Sequence, residues 1–163
     1  MSNNQKIAIV MGSQSDLETM NEAVNLLKEF NADYEVRVLS AHRTPDEVAK
    51  FAKDARKDGV KVIIAGAGGA AALAGVIAAH TTLPVVGVPM ETSSLKGLDS
   101  LLSTVQMPAG VPVASMAIGK AGAKNAAIFA LEILGVADSD FEKKLNNYKK
   151  ELVKKVSEIK LKV

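Results

Sequence analysis

The stretch Val36-Arg37-Val38-Leu39-Ser40-Ala41-His42-Arg43-Thr44-Pro45-Asp46-Glu47 decides how this chain is read. Val36, Val38 and Leu39 have the β-branched, apolar bias of a strand. Thr44-Pro45-Asp46-Glu47 reads as a helix start, with threonine at the cap, proline in the first helical position and an acid three residues after the cap. Ser40, Ala41, His42 and Arg43 therefore stand at the carboxyl end of a strand, where the chain turns into a helix. In open α/β sheets that edge is where ligands bind. With His42 one of only two histidines and Arg43 beside it, this turn is the candidate active site.

Working outward, the same unit recurs. Ile7 to Met11 is a continuous apolar run, as expected of a strand buried on both faces, and it ends in the turn Gly12-Ser13-Gln14-Ser15-Asp16. Ser15 and Glu18 have capping-box spacing, and Leu17, Met20, Val24, Leu27 and Phe30 form the buried stripe of a following helix. Tyr34 to Leu39 and Pro45 to Lys57 are the second strand and helix, with Val48, Phe51, Ala52 and Ala55 inward and Asp58-Gly59 ending the helix. Val60 to Ala65 is a third strand, running into the glycine-rich turn at Gly66 and a small-residue helix up to His80. Leu83 to Val88 is a fourth strand, Pro89 to Lys96 a loop, and Gly97 to Met107 a helix with Leu98, Leu101, Leu102 and Val105 at helical spacing. Val111 to Ile118 is a fifth strand, followed by a helix from Ala123 to about Leu134. This alternation predicts an α/β fold, a doubly wound three-layer sandwich around a flavodoxin-like five-stranded parallel sheet.

The end of the chain departs from that rhythm. From Asp138 to Lys160, Phe141, Leu145, Tyr148, Leu152, Val156 and Ile159 recur every three or four residues, with lysine and glutamate between them. That stripe is longer than one small sheet needs, so residues 138–160 are expected to form a C-terminal helix that packs partly on another subunit. The 163 residues are expected to make one catalytic domain, 1–163.

Composition narrows the function. A hydrophobic content of 48% with 23% charged residues is ordinary for a soluble globular protein, and 4% aromatic residues leave an aliphatic, alanine-rich core. A net charge of +2 gives no electrostatic case for nucleic acid. Without cysteine there is no thiolate nucleophile and no cysteine-ligated zinc. The apolar run behind the polar Met1–Lys6 segment stops at Met11, too short for a signal peptide or a membrane span, so a cytoplasmic protein is expected. No spacing of histidines and carboxylates predicts a metal site, and no serine lies in a nucleophile elbow.

The remaining chemistry sits at strand ends. Gly12-Ser13-Gln14-Ser15-Asp16 and Gly66-Ala67-Gly68-Gly69 offer backbone amides and helix N-termini to an anion such as a phosphate. Ser13 and Ser15 add hydroxyls, while Asp16 suits ribose hydroxyls or plain helix capping. Gly66-Ala67-Gly68-Gly69-Ala70-Ala71 fits a dinucleotide fingerprint only loosely, because it follows the third strand and the chain is too short for two nucleotide-binding halves. His80, at a helix end, is expected to be structural. His42 has the intrinsic pKa, about 6.5, of a proton shuttle at neutral pH, and Arg43 is either a surface ion pair or a phosphate clamp.

The motifs Met11-Gly12-Ser13-Gln14-Ser15-Asp16, Ser40-Ala41-His42-Arg43-Thr44-Pro45, Gly66-Ala67-Gly68-Gly69-Ala70-Ala71, Pro84-Val85-Val86-Gly87-Val88-Pro89, Asp99-Ser100-Leu101-Leu102-Ser103 and Gln106-Met107-Pro108-Ala109-Gly110-Val111-Pro112 stand in an order and spacing. Together they resemble the N5-carboxyaminoimidazole ribonucleotide mutase family of purine biosynthesis (PurE family, class I-like). The resemblance covers nearly the whole chain. It implies a homo-octamer, no cofactor, and transfer of a carboxylate from exocyclic nitrogen N5 to carbon 4 of an aminoimidazole ribonucleotide. It also implies that His42 is the general acid/base and that Ser13, Asp16 and Arg43 bind the ribose phosphate. Gly68 and Gly69 would border the carboxylate and the imidazole, and Ser40, Ala41 and Leu73 would join them in holding the substrate. The chemistry is consistent with one imidazole and a closed, backbone-lined cavity, since carbon dioxide must leave nitrogen and return to carbon.

The chain departs from the family pattern at one place. Family members usually read Gly-Gly-Ala-Ala-His-Leu-Pro-Gly in the glycine-rich segment, whereas Ala72 and Ala74 stand here. Alanine at the first of these positions looks more like the related carboxylases, which fix free carbon dioxide onto aminoimidazole ribonucleotide. Those enzymes typically read Gly-Arg-Ser-Asn where this chain has Gly68-Gly69-Ala70-Ala71, so the carboxylase is the near alternative. A non-catalytic nucleotide- or flavin-binding module of the same fold is the distant one.

Overall fold

The computed structural model describes residues 6–161. The polar segment Met1–Gln5 lies outside them. In chain order the elements are β1 (Lys6–Met11), α1 (Leu17–Glu29), β2 (Tyr34–Val38), α2 (Pro45–Asp54), β3 (Val60–Ala67), α3 (Leu73–His80), β4 (Val85–Pro89), α4 (Leu98–Val105), β5 (Ala114–Ser115), α5 (Lys120–Gly135) and α6 (Ser139–Ser157). The five strands form one parallel sheet in the order β2-β1-β3-β4-β5. That is the doubly wound order whose direction switches between β1 and β3.

Burial follows from the strand sequences. Ile7 to Met11 and Val62 to Ala65 have both faces covered, so they show no polar alternation and are almost wholly inaccessible. One face packs Ile7, Ile9, Met11, Val62 and Ile64 against α1, α5 and the start of α6; the other packs Ala8, Val10, Ile63 and Ala65 against α2 and α3. Alanines 123, 126, 127 and 130 of α5 are fully buried and let that helix lie close to α1. The edge strand β2 has exposed Val36 and Val38 and holds Arg37 against Glu35 and over the Phe51 ring.

Several element boundaries differ from expectation. The capping box is formed by Ser13 and Asp16 around a 3-10 turn, Gln14–Asp16, rather than by Ser15 and Glu18. Leu17, expected in the buried stripe, is 38% exposed; it is the first residue of α1, where a side chain leans back toward the turn before the helix. Thr44 occupies the cap position of α2, but its hydroxyl donates to the Ser40 carbonyl and accepts the Ser40 N–H instead of capping the helix. β2 stops at Val38 and α2 at Asp54, short of the expected Leu39 and Lys57.

Gly66 and Ala67, expected in a turn, continue β3, pairing with Val88 and Pro89. A Cβ at Gly66 would come within 2.7 Å of both Met20 and Met90, so glycine there admits two methionines over the strand. β5 shrinks from the expected Val111 to Ile118 to two paired residues: Pro112 cannot donate to a ladder, and beyond Ser115 the chain curls so that Ala117 lies against the α carbon of Gly122. α4 leaves Leu98, Leu102 and Val105 exposed and Leu101 half-buried, while Ser100 and Thr104 are buried. In α6, Phe141 and Leu145 are buried, whereas Leu152, Val153 and Val156 are exposed, as is Ile159 just beyond its end.

Candidate active site

The order β2-β1-β3 sets the carboxyl ends of three strands side by side, and each continues into a turn bearing polar or small residues. Between these turns lies a cavity of about 440 Å³, lined by Gly12, Ser13, Ser15 and Asp16 after β1, Ser40 to Arg43 after β2, and Ala67, Gly68 and Ala70 to Leu73 after β3. Its size suits a small organic ligand. Of the residues singled out from the sequence, Ser13, Asp16, Ser40, Ala41, His42, Arg43, Gly68 and Leu73 all line it. Gly69 does not; its N–H points back to the buried hydroxyl of Ser100, 3.0 Å away. His80 is exposed at the end of α3, outside the cavity.

The turn after β1 is a self-contained polar knot. Ser13 Oγ accepts from the Ser15 N–H at 3.3 Å and from the Ser15 hydroxyl at 2.9 Å, which leaves its own proton to donate. Asp16 Oδ2 accepts the Ser13 N–H at 3.1 Å. Burial holds the Asp16 pKa above the ordinary carboxylate value, an effect only partly offset by the Ser13 N–H, the Ser15 hydroxyl and the charge of Arg43.

The turn after β2 locks Arg43 across to β1. Its Nη2 donates to the Gly12 carbonyl at 2.9 Å and its Nε to Ser40 Oγ at 3.2 Å, while Ser40 Oγ also accepts the Arg43 N–H. No carboxylate pairs with Arg43 in an ion pair among the described residues, so the surface ion-pair reading does not describe it. A guanidinium tied by two donors to Gly12 and Ser40 keeps others for a ligand. His42 is exposed at the cavity mouth and is the only imidazole lining it. Among the described residues no group of three or more histidines, cysteines or carboxylates could hold a metal ion. The arrangement offers one imidazole, one cation with hydroxyl donors, one carboxylate, and a wall of glycine and alanine.

Sequence reasoning missed that wall's full extent, Ala70, Ala71 and Ala72 included, and it missed Ser100. Ser100 stands in one of the motifs that carry the resemblance and four residues before Thr104, opposite the leucines, but the leucine spacing overshadowed it.

Residues 6–155 match the protein-family model described as AIR carboxylase. Among curated relatives, an N5-carboxyaminoimidazole ribonucleotide mutase of Bacillus subtilis is 58% identical over 140 residues, 86% of each chain. One from Saccharolobus solfataricus is 55% identical over 90% of this chain and 92% of its own, and one from Escherichia coli is 52% identical over 91% and 88%. A crystal structure of Treponema denticola PurE superposes with a TM-score of 0.86 at 28% identity, covering 94% of this chain and 95% of that one.

Proposed function

This chain belongs to the AIR carboxylase family and has the isomerase activity of the N5-carboxyaminoimidazole ribonucleotide mutases, and on that premise we propose that His42 transfers the protons of the reaction within the cavity of the three turns. Although the family description names a carboxylase, the relatives that match over most of their length are named mutases, and the alternative of a carboxylase using free carbon dioxide is not favoured.

One observation carries the assignment of roles: a single cavity joins a cation with hydroxyl donors, a carboxylate and one imidazole. The substrate's phosphate meets Ser13 and Arg43, where charge-assisted hydrogen bonds are strongest, and Asp16 accepts from the ribose hydroxyls. The ring lies on the wall of Gly68 and Leu73, with Ser40 and Ala41 closing the opposite side. Protonated His42 delivers its proton to N5 as the bond from N5 to the carboxylate breaks, releasing carbon dioxide into the pocket. Carbon 4 then attacks the carbon dioxide, and the hydrogen on carbon 4 returns to His42 as a proton. The imidazole ends as it began, so the sequence is an isomerisation that balances without oxidant or metal.

Retaining the gas calls for a cover that a mouth with exposed His42 lacks. We propose a second copy of this chain as that cover, in a homo-oligomer of octameric size. Exposed Leu95, Leu98, Leu102 and Val105 around α4, and Leu152, Val153 and Val156 on α6, support this. The whole chain acts as one catalytic domain, in the cytoplasm, where a phosphorylated precursor is retained; cell fractionation tests the location. Among the described residues no helix is long and apolar enough to cross a membrane.

His42→Asn, assayed with the carbamate ribonucleotide, tests the central role. We expect kcat to fall by about 10²- to 10³-fold with substrate binding kept, the scale of a lost general acid/base. Unchanged turnover would defeat the assignment.

A further inference from the structure

We propose that Ser100 is a positioning residue, holding the cavity wall at Gly68 and Ala70 in its reactive shape through the N–H of Gly69 between them; this rests on the site assignment made under Proposed function. Ser100 is fully buried, and its Oγ lies 3.0 Å from the Gly69 nitrogen. Gly69 has φ +67°, and a Cβ built on it would touch nothing within 4 Å. Conformation rather than crowding therefore sets the glycine requirement there, and that conformation needs a fixed partner for its N–H.

The helix that carries Ser100 is itself tied down at its start. Gly97, at φ +88°, donates its N–H to Thr92 Oγ1, and the Thr92 hydroxyl donates to Asp99 Oδ1 at 2.8 Å. On its buried side, Thr104 donates to the Ser100 carbonyl at 2.7 Å and packs over Gly87, where a Cβ would come within 2.4 Å of it. α4 thus presents hydroxyls, not leucines, to its own domain, and Ser100 reaches the residue adjoining the cavity wall. Gly68 lines the cavity one residue before Gly69, and Ala70 one residue after. Losing the Ser100 acceptor leaves a Gly69 N–H unpaired and lets the segment that carries both residues relax. Displacements of an ångström at a reacting centre lower turnover strongly.

The test uses the full chain and the carbamate ribonucleotide. Ser100→Ala should lower kcat about tenfold while KM stays within twofold, because the phosphate contacts of Ser13 and Arg43 lie on other turns. Gly69→Ala should act on the same parameter through strain at its positive φ. The double variant should be little worse than the poorer single one, since both break one contact. If Ser100→Ala does not fold, Ser100→Cys keeps the volume but offers a poor acceptor, and it carries the same expectation. Unchanged kcat in folded Ser100 variants, or fully additive losses in the double variant, would overturn the proposal. Amide exchange separates it from the assigned function: Gly69 N–H should lose at least about tenfold protection in Ser100→Ala with β1 and β4 amides unaffected. Unaltered protection would overturn the positioning role even in an active enzyme. A wild-type chain without turnover would instead sink the site assignment, and the exchange result would then decide the Ser100 contact alone.

Discussion

α2 and α4 look alike in sequence and face opposite ways. Both carry apolar residues at three- and four-residue spacing, yet α2 buries Val48, Phe51 and Ala52, whereas α4 exposes Leu98, Leu102 and Val105 and buries Ser100 and Thr104. Each helix also supports one wall of the cavity, α2 by following the His42-Arg43 turn and α4 by anchoring Gly69. Periodicity reports that a helix has two faces; it does not say which face belongs to its own domain.

The comparison can be broken by exchanging what each face loses. Phe51→Ala should cost the folded chain about 3–5 kcal/mol, the range for truncating a buried aromatic, read from denaturant unfolding. A loss below about 1 kcal/mol would mean that α2 does not bury that face. Arg43→Lys, next to the start of α2, should raise KM about tenfold while changing kcat much less, because an ammonium cannot hold Gly12 and Ser40 together and still present a planar fork to phosphate. A kcat effect alone would move Arg43 from binding to chemistry. For α4, Leu98→Lys with Leu102→Lys should leave the dissociated chain within about 0.5 kcal/mol per site, as for other exposed positions, yet lower the assembly's mass in light scattering. An assembly of unchanged mass would show that this apolar face is not an interface.

The smallest expected effect concerns Asp16. Its folded pKa is raised chiefly by burial, so the folded chain holds that proton to higher pH than the unfolded chain does. Between the ordinary carboxylate value and the raised one the folded state binds more protons. Stability therefore falls as pH rises through that window and is level above it. Asp16→Asn should raise the melting temperature slightly at pH 7 and leave it unchanged well below the window, while weakening substrate binding. A lower melting temperature at pH 7 would mean that the Ser13 N–H contact outweighs the burial of charge.

Much of the fold was legible because strands buried on both faces read as unbroken apolar runs: Ile7 to Met11 and Val62 to Ala65 need no tertiary information to be recognised. The turn at His42 was legible for a related reason, since the change from β-branched residues to Thr-Pro-Asp-Glu marks a strand end wherever the sheet lies. The cap at Ser13 and Asp16, the reversed side chain of Thr44 and the shortness of β5 were not legible. Each depends on a hydrogen bond or close approach that competes with an equally plausible local one.

The sequence by itself determined the alternation of strands and helices, the glycine-rich segment after β3, and the presence of one imidazole and one guanidinium at a strand end. These follow from short-range rules of backbone sterics, hydrophobic period and residue chemistry. Only the tertiary structure decided that β2, β1 and β3 are neighbours, which brings three separate turns around one cavity, and that α4 faces the domain with its hydroxyls. Adjacency between strands is settled by the packing of the whole sheet. A helix face is chosen by what already occupies the space beneath it: here that was a left-handed glycine needing an acceptor, and Ser100 supplied one where a leucine could not.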